Sequence, residues 1–589
     1  MGLISVVLNT LALTFSLDQI LTNGASTLGL LTSPLLPKFL INNPLQDGFP
    51  WGNHDCTNTN PYKQELDTGV TRTYDFTISR RVLSPDGYEK SLISVNGQFP
   101  GPLIQANWGD TIVVKVTNNI STPLEGTSIH WHGFLQHSTQ WMDGTPGFTQ
   151  CPIAPGKSFT YKFKAELYGT TWYHAHYSSQ YTDGVIGPIV IYGPNQKNYD
   201  YDLDVGPILL SDYYHNSYES TVETLLAPRP KLPPLKPVSD NNLINGKMNF
   251  DCSTAADKRV KCSNNAGLSK FRFQTGKRHR LRLINAGADA SQKFSMDGHQ
   301  MTVIENDFVA VQPYNTSVVT LGVGQRTDVI VTGLSDPKGT YWIRSNVTCA
   351  EAKQPYALAA LYYPDASSTA LPTSFPLHTP SISCDNDALE KTIPTYPIGP
   401  RNPDQTYVLD LTAGQNASGV WLWTMNNLTF RADLSQPVLL QANKGNLTFP
   451  PAWNVINTGS AKSYRFIFNN NSPLPHPMHF HGHNMHILAV GRGKWDGKTI
   501  VRPENPQRRD VQMVPEFGYM VWQASADNPG AWAFHCHIAW HAATALTVDI
   551  LEQPAKIKGL QIPSSVEQTC AEWRAVVATS QIEQIDSGV

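Results

Sequence analysis

Ten of the 18 histidines fall into four short clusters: His130-Trp-His132, His174-Ala-His176, His476-Pro-Met-His479-Phe-His481, and His535-Cys-His537 with His541. Residues i and i+2 of a strand point to the same face, so each His-x-His presents two imidazoles side by side, as a pair of metal ions requires. The last cluster goes further. His535 and His537 face one way and Cys536 the other, so the cysteine can bind one metal while its covalent neighbours bind others, a through-bond path for electrons. A single histidine on an apolar strand is usually structural, but chance does not produce four such clusters. Structural zinc takes four ligands in a tetrahedron from one local motif; here the ligands are spread along the chain and a cysteine sits between histidines. A trigonal His2Cys set is the signature of a blue-copper electron-transfer site.

The elements that must hold these side chains repeat. Gly169-Thr-Thr-Trp-Tyr-His-Ala-His176, Gly339-Thr-Tyr-Trp-Ile-Arg-Ser-Asn346 and Gly530-Ala-Trp-Ala-Phe-His-Cys-His537 carry His174/His176, Arg344/Asn346 and His535/His537 at matching places. Each stretch closes a β-rich block, and the roughly 170–190-residue spacing predicts three similar domains. The middle copy has lost its histidines, which suggests a spacer that also shapes a substrate surface. Hydrophobic residues make up 40% of the 589 and charged residues 15%, and the 42 Gly and 43 Pro separate short runs rich in Val, Ile, Thr, Tyr and Phe. That pattern reads as all-β. Pro-rich stretches near Leu226–Val238 and Pro372–Pro403 read as loops, the second as a domain boundary.

The net charge of −3, without a basic patch, gives no reason to expect nucleic-acid binding. The apolar run Leu3–Phe15, with the first lysine only at Lys38, reads as a signal h-region lacking its positive n-region. Seven Asn-x-Ser/Thr sequons, at Asn119, Asn315, Asn346, Asn416, Asn427, Asn446 and Asn470, point to N-linked glycans. No later apolar run is long enough to span a bilayer, so a soluble, secreted, extracellular protein is expected.

With these motifs in view, the chain resembles the ascomycete-type fungal laccases of the multicopper oxidase family, from about residue 65 to the end. The resemblance implies three cupredoxin-like (Greek-key β-barrel) domains: a leader over 1–50, domain 1 over 51–200, domain 2 over 201–375, and domain 3 with a C-terminal plug over 376–589. It also implies four coppers per chain, in a monomer that oxidises small phenolic or aromatic substrates one electron at a time and reduces O2 to water. Type 1 copper would be held by His476, Cys536 and His541, type 2 by His130 and His479, and the type 3 pair by His132, His174, His176, His481, His535 and His537. The trinuclear cluster would lie between domains 1 and 3. His483 and His486 match no ligand position and read as supporting residues.

Leu546 occupies the family's axial type 1 position. It cannot coordinate as Met does, so it should raise the copper potential. By the same resemblance the edge of His541 faces substrate, and Asp289 lies near where these laccases place an acid; it is the candidate base for the phenolic proton, with Asp212 its competitor. The terminal Asp586-Ser-Gly-Val589 resembles the family's Asp-Ser-Gly-Leu plug, and Asp586 would feed protons to reduced oxygen. The resemblance pairs Cys151 with Cys570 and Cys349 with Cys384. Cys252 and Cys262 are close enough to form a small loop, which leaves Cys56 over. A ferroxidase or ascorbate oxidase with the same coppers, or a copper protein without oxidase activity, stays open at this point.

Overall fold

The computed structural model describes residues 26–41, 48–64, 66–195, 200–230, 232, 234–377, 381–580 and 582–589. The apolar run Leu3–Phe15 lies outside them.

Period-two burial builds the strands. In Ser158–Lys164, Phe159, Tyr161 and Phe163 turn inward while Ser158, Thr160 and Lys162 face solvent. Burial stabilises each such side chain by roughly 1.5–3 kcal/mol. Strands covered on both faces are apolar throughout, as in Ile186–Tyr192.

One topology occurs three times. In each repeat one sheet starts from a parallel pair: Thr71–Leu83 beside Thr111–Asn118, Leu203–Tyr213 beside Arg278–Asn285, and Gln405–Gln415 beside Ser463–Asn470. The second sheet of each repeat also has a parallel pair: Ile104–Asn107 with Ile186–Tyr192, Ser269–Arg272 with Tyr356–Tyr362, and Val455–Asn457 with Thr547–Glu552. The molecule is mostly β, three cupredoxin-like barrels in sequence. The motifs Gly169–Ala175, Thr340–Thr348 and Gly530–Cys536 form a late strand of each repeat rather than its close. An antiparallel partner strand follows each of them, in the second repeat after the two-residue strand Glu351–Ala352.

Buried ion pairs fasten the repeats together. Arg282 forks onto Asp204 and donates to Thr170 Oγ1 of the first repeat at 3.0 Å, while Thr170 donates to Asp328. Arg509 of the third repeat forks onto Asp307 of the second at 2.7 and 3.0 Å. Chain within the expected leader is also packed on the body: Lys247 donates to the carbonyls of Ser26 and Leu28, and Asn107 exchanges two hydrogen bonds with Leu40. Burial without a carboxylate partner pulls Lys247 down to about 8.

Disulfides join Cys151 to Cys570, Cys252 to Cys262 and Cys349 to Cys384, and Cys56 is buried and free. Six sequon asparagines are at least partly exposed. Asn470 is buried, its amide donating to the carbonyls of Leu474 and Pro515, so in the folded chain it cannot accept a glycan. No helix among the described residues is long and apolar enough to cross a membrane.

The Cys151–Cys570 bond ties the first repeat to the helix Ser564–Val577 across 419 residues. Cys570→Ser should cost on the order of 2–4 kcal/mol, read by calorimetry as a lower melting temperature; an unchanged melt would show that packing alone holds that helix.

Candidate metal centre

The histidine strands of the first and third repeats meet face to face. Within each repeat, cross-strand register sets ring beside ring: His130 opposite His174 on one side, His479 opposite His535 on the other. Five sets of side chains result, with ligand atoms within 4.8 Å of one another: His130, His132 and His479; His132, His174 and His537; His176, His481 and His535; His476, Cys536 and His541; and His130 and His481 with Asp143. Every side chain expected to bind metal falls into one of them.

What lies behind each ring decides which nitrogen faces inward. His174 and His535, at equivalent places in their repeats, turn Nδ1 to the carbonyl of the next residue, at 3.0 and 2.9 Å. His130 Nδ1 contacts the Asp143 carbonyl at 2.8 Å, and the Asp143 carboxylate holds His481 Nδ1 at 2.9 Å. Asp510 does the same on the other flank, its carboxylate on His132 Nε2 at 3.0 Å and its carbonyl on His479 Nδ1 at 2.9 Å. Asp143, Asp510 and their hydrogen bonds went unrecognised in the sequence. Neither residue lies within a histidine cluster, so spacing carried no signal for them.

The inward nitrogens fit a metal. His130 Nε2, His174 Nε2 and His479 Nε2 are buried with no hydrogen-bond partner, a condition rare for buried polar atoms unless something absent completes them. Burial, then repulsion between neighbouring rings, holds His132, His176, His479, His481 and His537 well below the ordinary imidazole range, and His535 falls to about 4. They are therefore neutral, the form that ligates metal.

On the opposite face of the same strand, Cys536 Sγ lies 3.5 Å from His476 Nδ1 and 3.6 Å from His541 Nδ1. Ser472 takes up His476 Nε2 at 3.0 Å. Leu546 is wholly buried, and its carbonyl accepts from the Cys536 amide at 3.1 Å. Trp423, missed in the sequence, packs its ring 4.9 Å from His476 and 4.7 Å from His541. Burial, and to a lesser extent the Asp289 charge, push the Cys536 thiol well up, so a thiolate there needs a cation beside it.

Three family models, each described as multicopper oxidase, match residues 69–196, 204–366 and 402–556. The chain belongs to the multicopper oxidase family. It is 40% identical to "Oxidoreductase OpS5" of Beauveria bassiana, over 92% of this chain and 91% of that one. It is 36% identical to "Laccase-2" of Botryotinia fuckeliana, over 92% of each. The crystal structure of a laccase from Botrytis aclada superposes with a TM-score of 0.83 at 36% identity, covering 92% of this chain and 98% of that one. Copper is the metal this membership implies.

In this multicopper oxidase the middle repeat supplies the rim beside Cys536. Asp289 sits in a loop whose Ala288 carbonyl accepts from Ala539 N at 2.8 Å, the first residue of the short helix Ala539–Ala543 that carries His541. Asp212 is already committed: its carboxylate accepts from the amides of Ala288, Asp289 and Ala290 and from Tyr214. It holds the loop, and the Asp289 side chain beside it is partly buried. Burial and the neighbouring Asp212 charge raise Asp289 well above the usual carboxylate range. His483 pairs with Glu552 at 3.1 Å and stacks on Phe480, a structural role, and His486 is likewise buried away from the cluster.

The C-terminal segment closes the other side. Val589 lines a cavity of about 20 Å³ together with His174, His176, Tyr181, His535 and His537, room for one water-sized molecule. Asp586 accepts from Ser178 and the Gly588 amide, and Ser587 is tied to Ala542, Ala543 and Ala432. Burial raises the Asp586 carboxyl, and those hydrogen bonds partly offset the rise. Removing residues 586–589 should slow steady-state oxygen uptake; a truncated protein with full turnover would deny the segment any part in the site.

Proposed function

We propose that the chain is a laccase: it withdraws single electrons from phenols at His541 and uses four of them to reduce one O2 to water. The observation that carries this reading is the Asp289 loop docked on the His541 helix, which sets a carboxylate of raised pKa beside the His2Cys set. We assign His476, Cys536 and His541 to a type 1 copper, His130 and His479 to a type 2, and the remaining six clustered histidines to a type 3 pair, four coppers in all. Copper, when bound, supplies one-electron exchange at the His2Cys set and dioxygen reduction at the histidine cluster.

The chain's own groups do the rest. Trp423 and Leu546 keep water from the Cys536 sulfur. Cys536 shares a backbone with His535 and His537, so the two sites are joined by covalent bonds. Asp289 takes the phenolic proton as the electron leaves, which avoids a high-energy phenol cation. Asp586, buried between Ser178 and Gly588, holds a proton near the cavity where oxygen must sit. Three disulfides support an oxidising, extracellular destination, and the exposed sequons support N-glycans on a secreted monomer.

Oxygen uptake with a phenol, Fe2+ and ascorbate in parallel tests the reading: a clear preference for the phenol is expected, and preference for Fe2+ or ascorbate would replace laccase with another oxidase. Asp289 acts as a base only when ionised. Phenol turnover should therefore rise with pH through its elevated pKa, and Asp289→Asn should abolish that limb while sparing a donor that releases no proton. Equal loss with both donors would remove Asp289 from proton transfer. Leu546→Met should lower the type 1 potential by adding an axial donor; spectroelectrochemistry that returns an equal or higher value would deny Leu546 its tuning role.

A further inference from the structure

The middle repeat has no histidine in the metal centre, yet two of its residues touch the cluster. Arg326, 1% exposed, opens the strand Arg326–Thr332. Its Nη1 and Nη2 donate to the two Asp510 carboxylate oxygens at 2.6 and 2.7 Å, and its Nε reaches the Thr170 carbonyl of the first repeat at 3.3 Å. Two residues earlier, Gly324 has φ +86° and lies flat against the rings: a Cβ there would meet His537 Cδ2 at 2.8 Å and His132 Cε1 at 3.1 Å. From the first repeat, Gly133 closes the same pocket, where a Cβ would come within 2.7 Å of Asp510 Oδ2.

The chemistry of this contact is directional. A guanidinium fork fixes the plane of the carboxylate it grips, which a lysine cannot do. With its plane fixed, Asp510 Oδ1 can only accept, so His132 must carry its proton on Nε2 and turn Nδ1 inward, where it lies 3.3 Å from His537 Nε2. The Asp510 carbonyl fixes His479 likewise and leaves its Nε2 free.

We propose that Arg326, with Gly324, positions the trinuclear cluster through Asp510, setting the ring orientation and inward nitrogen of His132 and the place of His479 and His537, so that the histidine-free repeat is a working part of the metal site. This rests on the copper assignment above.

The test compares copper-loaded wild type, Arg326→Lys, Gly324→Ala and, as control, Gly276→Ala, whose φ of +68° imposes similar backbone strain in open space. Copper per chain and its retention against a chelator are read beside the blue absorption, the EPR signal of the non-blue copper and the melting temperature. Outer hydrogen-bond partners of a metal ligand commonly matter by about 10–100-fold in affinity, and that loss is expected at the histidine cluster for Arg326→Lys and Gly324→Ala. The blue band and the melt should persist, and Gly276→Ala should match wild type. Equal retention and unchanged EPR in both variants would overturn the proposal, as would uniform loss of all copper with a lowered melt, which would make Arg326 a general folding residue. If wild type itself holds no copper at the cluster, the copper assignment fails first.

Discussion

Eight imidazoles converge in a buried interface between two repeats, and the rest of the structure answers to keeping them neutral and apart. Protonated, they would repel one another; unheld, they would turn to bond with one another. Held through Nδ1, His481 and His535 instead bring two Nε2 atoms within 3.0 Å of each other. Asp143 and Asp510 stand on opposite flanks and each binds rings contributed by both repeats. Carboxylates placed behind the rings draw the protons outward and leave inward lone pairs. The same burial that excludes water lowers the basicity of the rings, so one environment sets both shape and protonation.

Strand geometry then separates two chemistries by the thickness of a sheet. His535 and His537 face the other repeat, and Cys536 faces His476 and His541. No loop intervenes, so the distance between the two sites is fixed by backbone bonds and resists thermal fluctuation. The middle repeat contributes at both ends, through the Asp212-held loop at the rim and through Arg326 behind the cluster. It serves as part of two walls and is more than a spacer.

Much of this was legible in the sequence because period-two alternation is rigid: His-x-His, and His-Cys-His above all, admits one arrangement in a strand. The three glycine-led motifs likewise disclosed the threefold repeat, although each proved to sit short of its repeat's last strand. Partners brought together by tertiary folding were invisible. Asp510 lies 378 residues from His132, whose ring it orients, and neither Arg326 nor Trp423 stands near a recognisable motif. That Asp212 is tied by three loop amides needed coordinates, since nothing in its letters marks such a carboxylate. Asn470 shows the same limit, a sequon by spacing and a buried strand residue by packing.

The disulfide between Cys151 and Cys570 spans 419 residues, and this bears on how the molecule is made. At a synthesis rate of 5–20 residues per second, the first repeat leaves the ribosome on the order of tens of seconds before the helix that carries Cys570. During that interval it displays four histidines of an unfinished cluster and a thiol awaiting its partner. The histidine cluster and this one disulfide are thus completed only at the end of translation, and the covalent clasp closes only around a chain whose last repeat has already arrived.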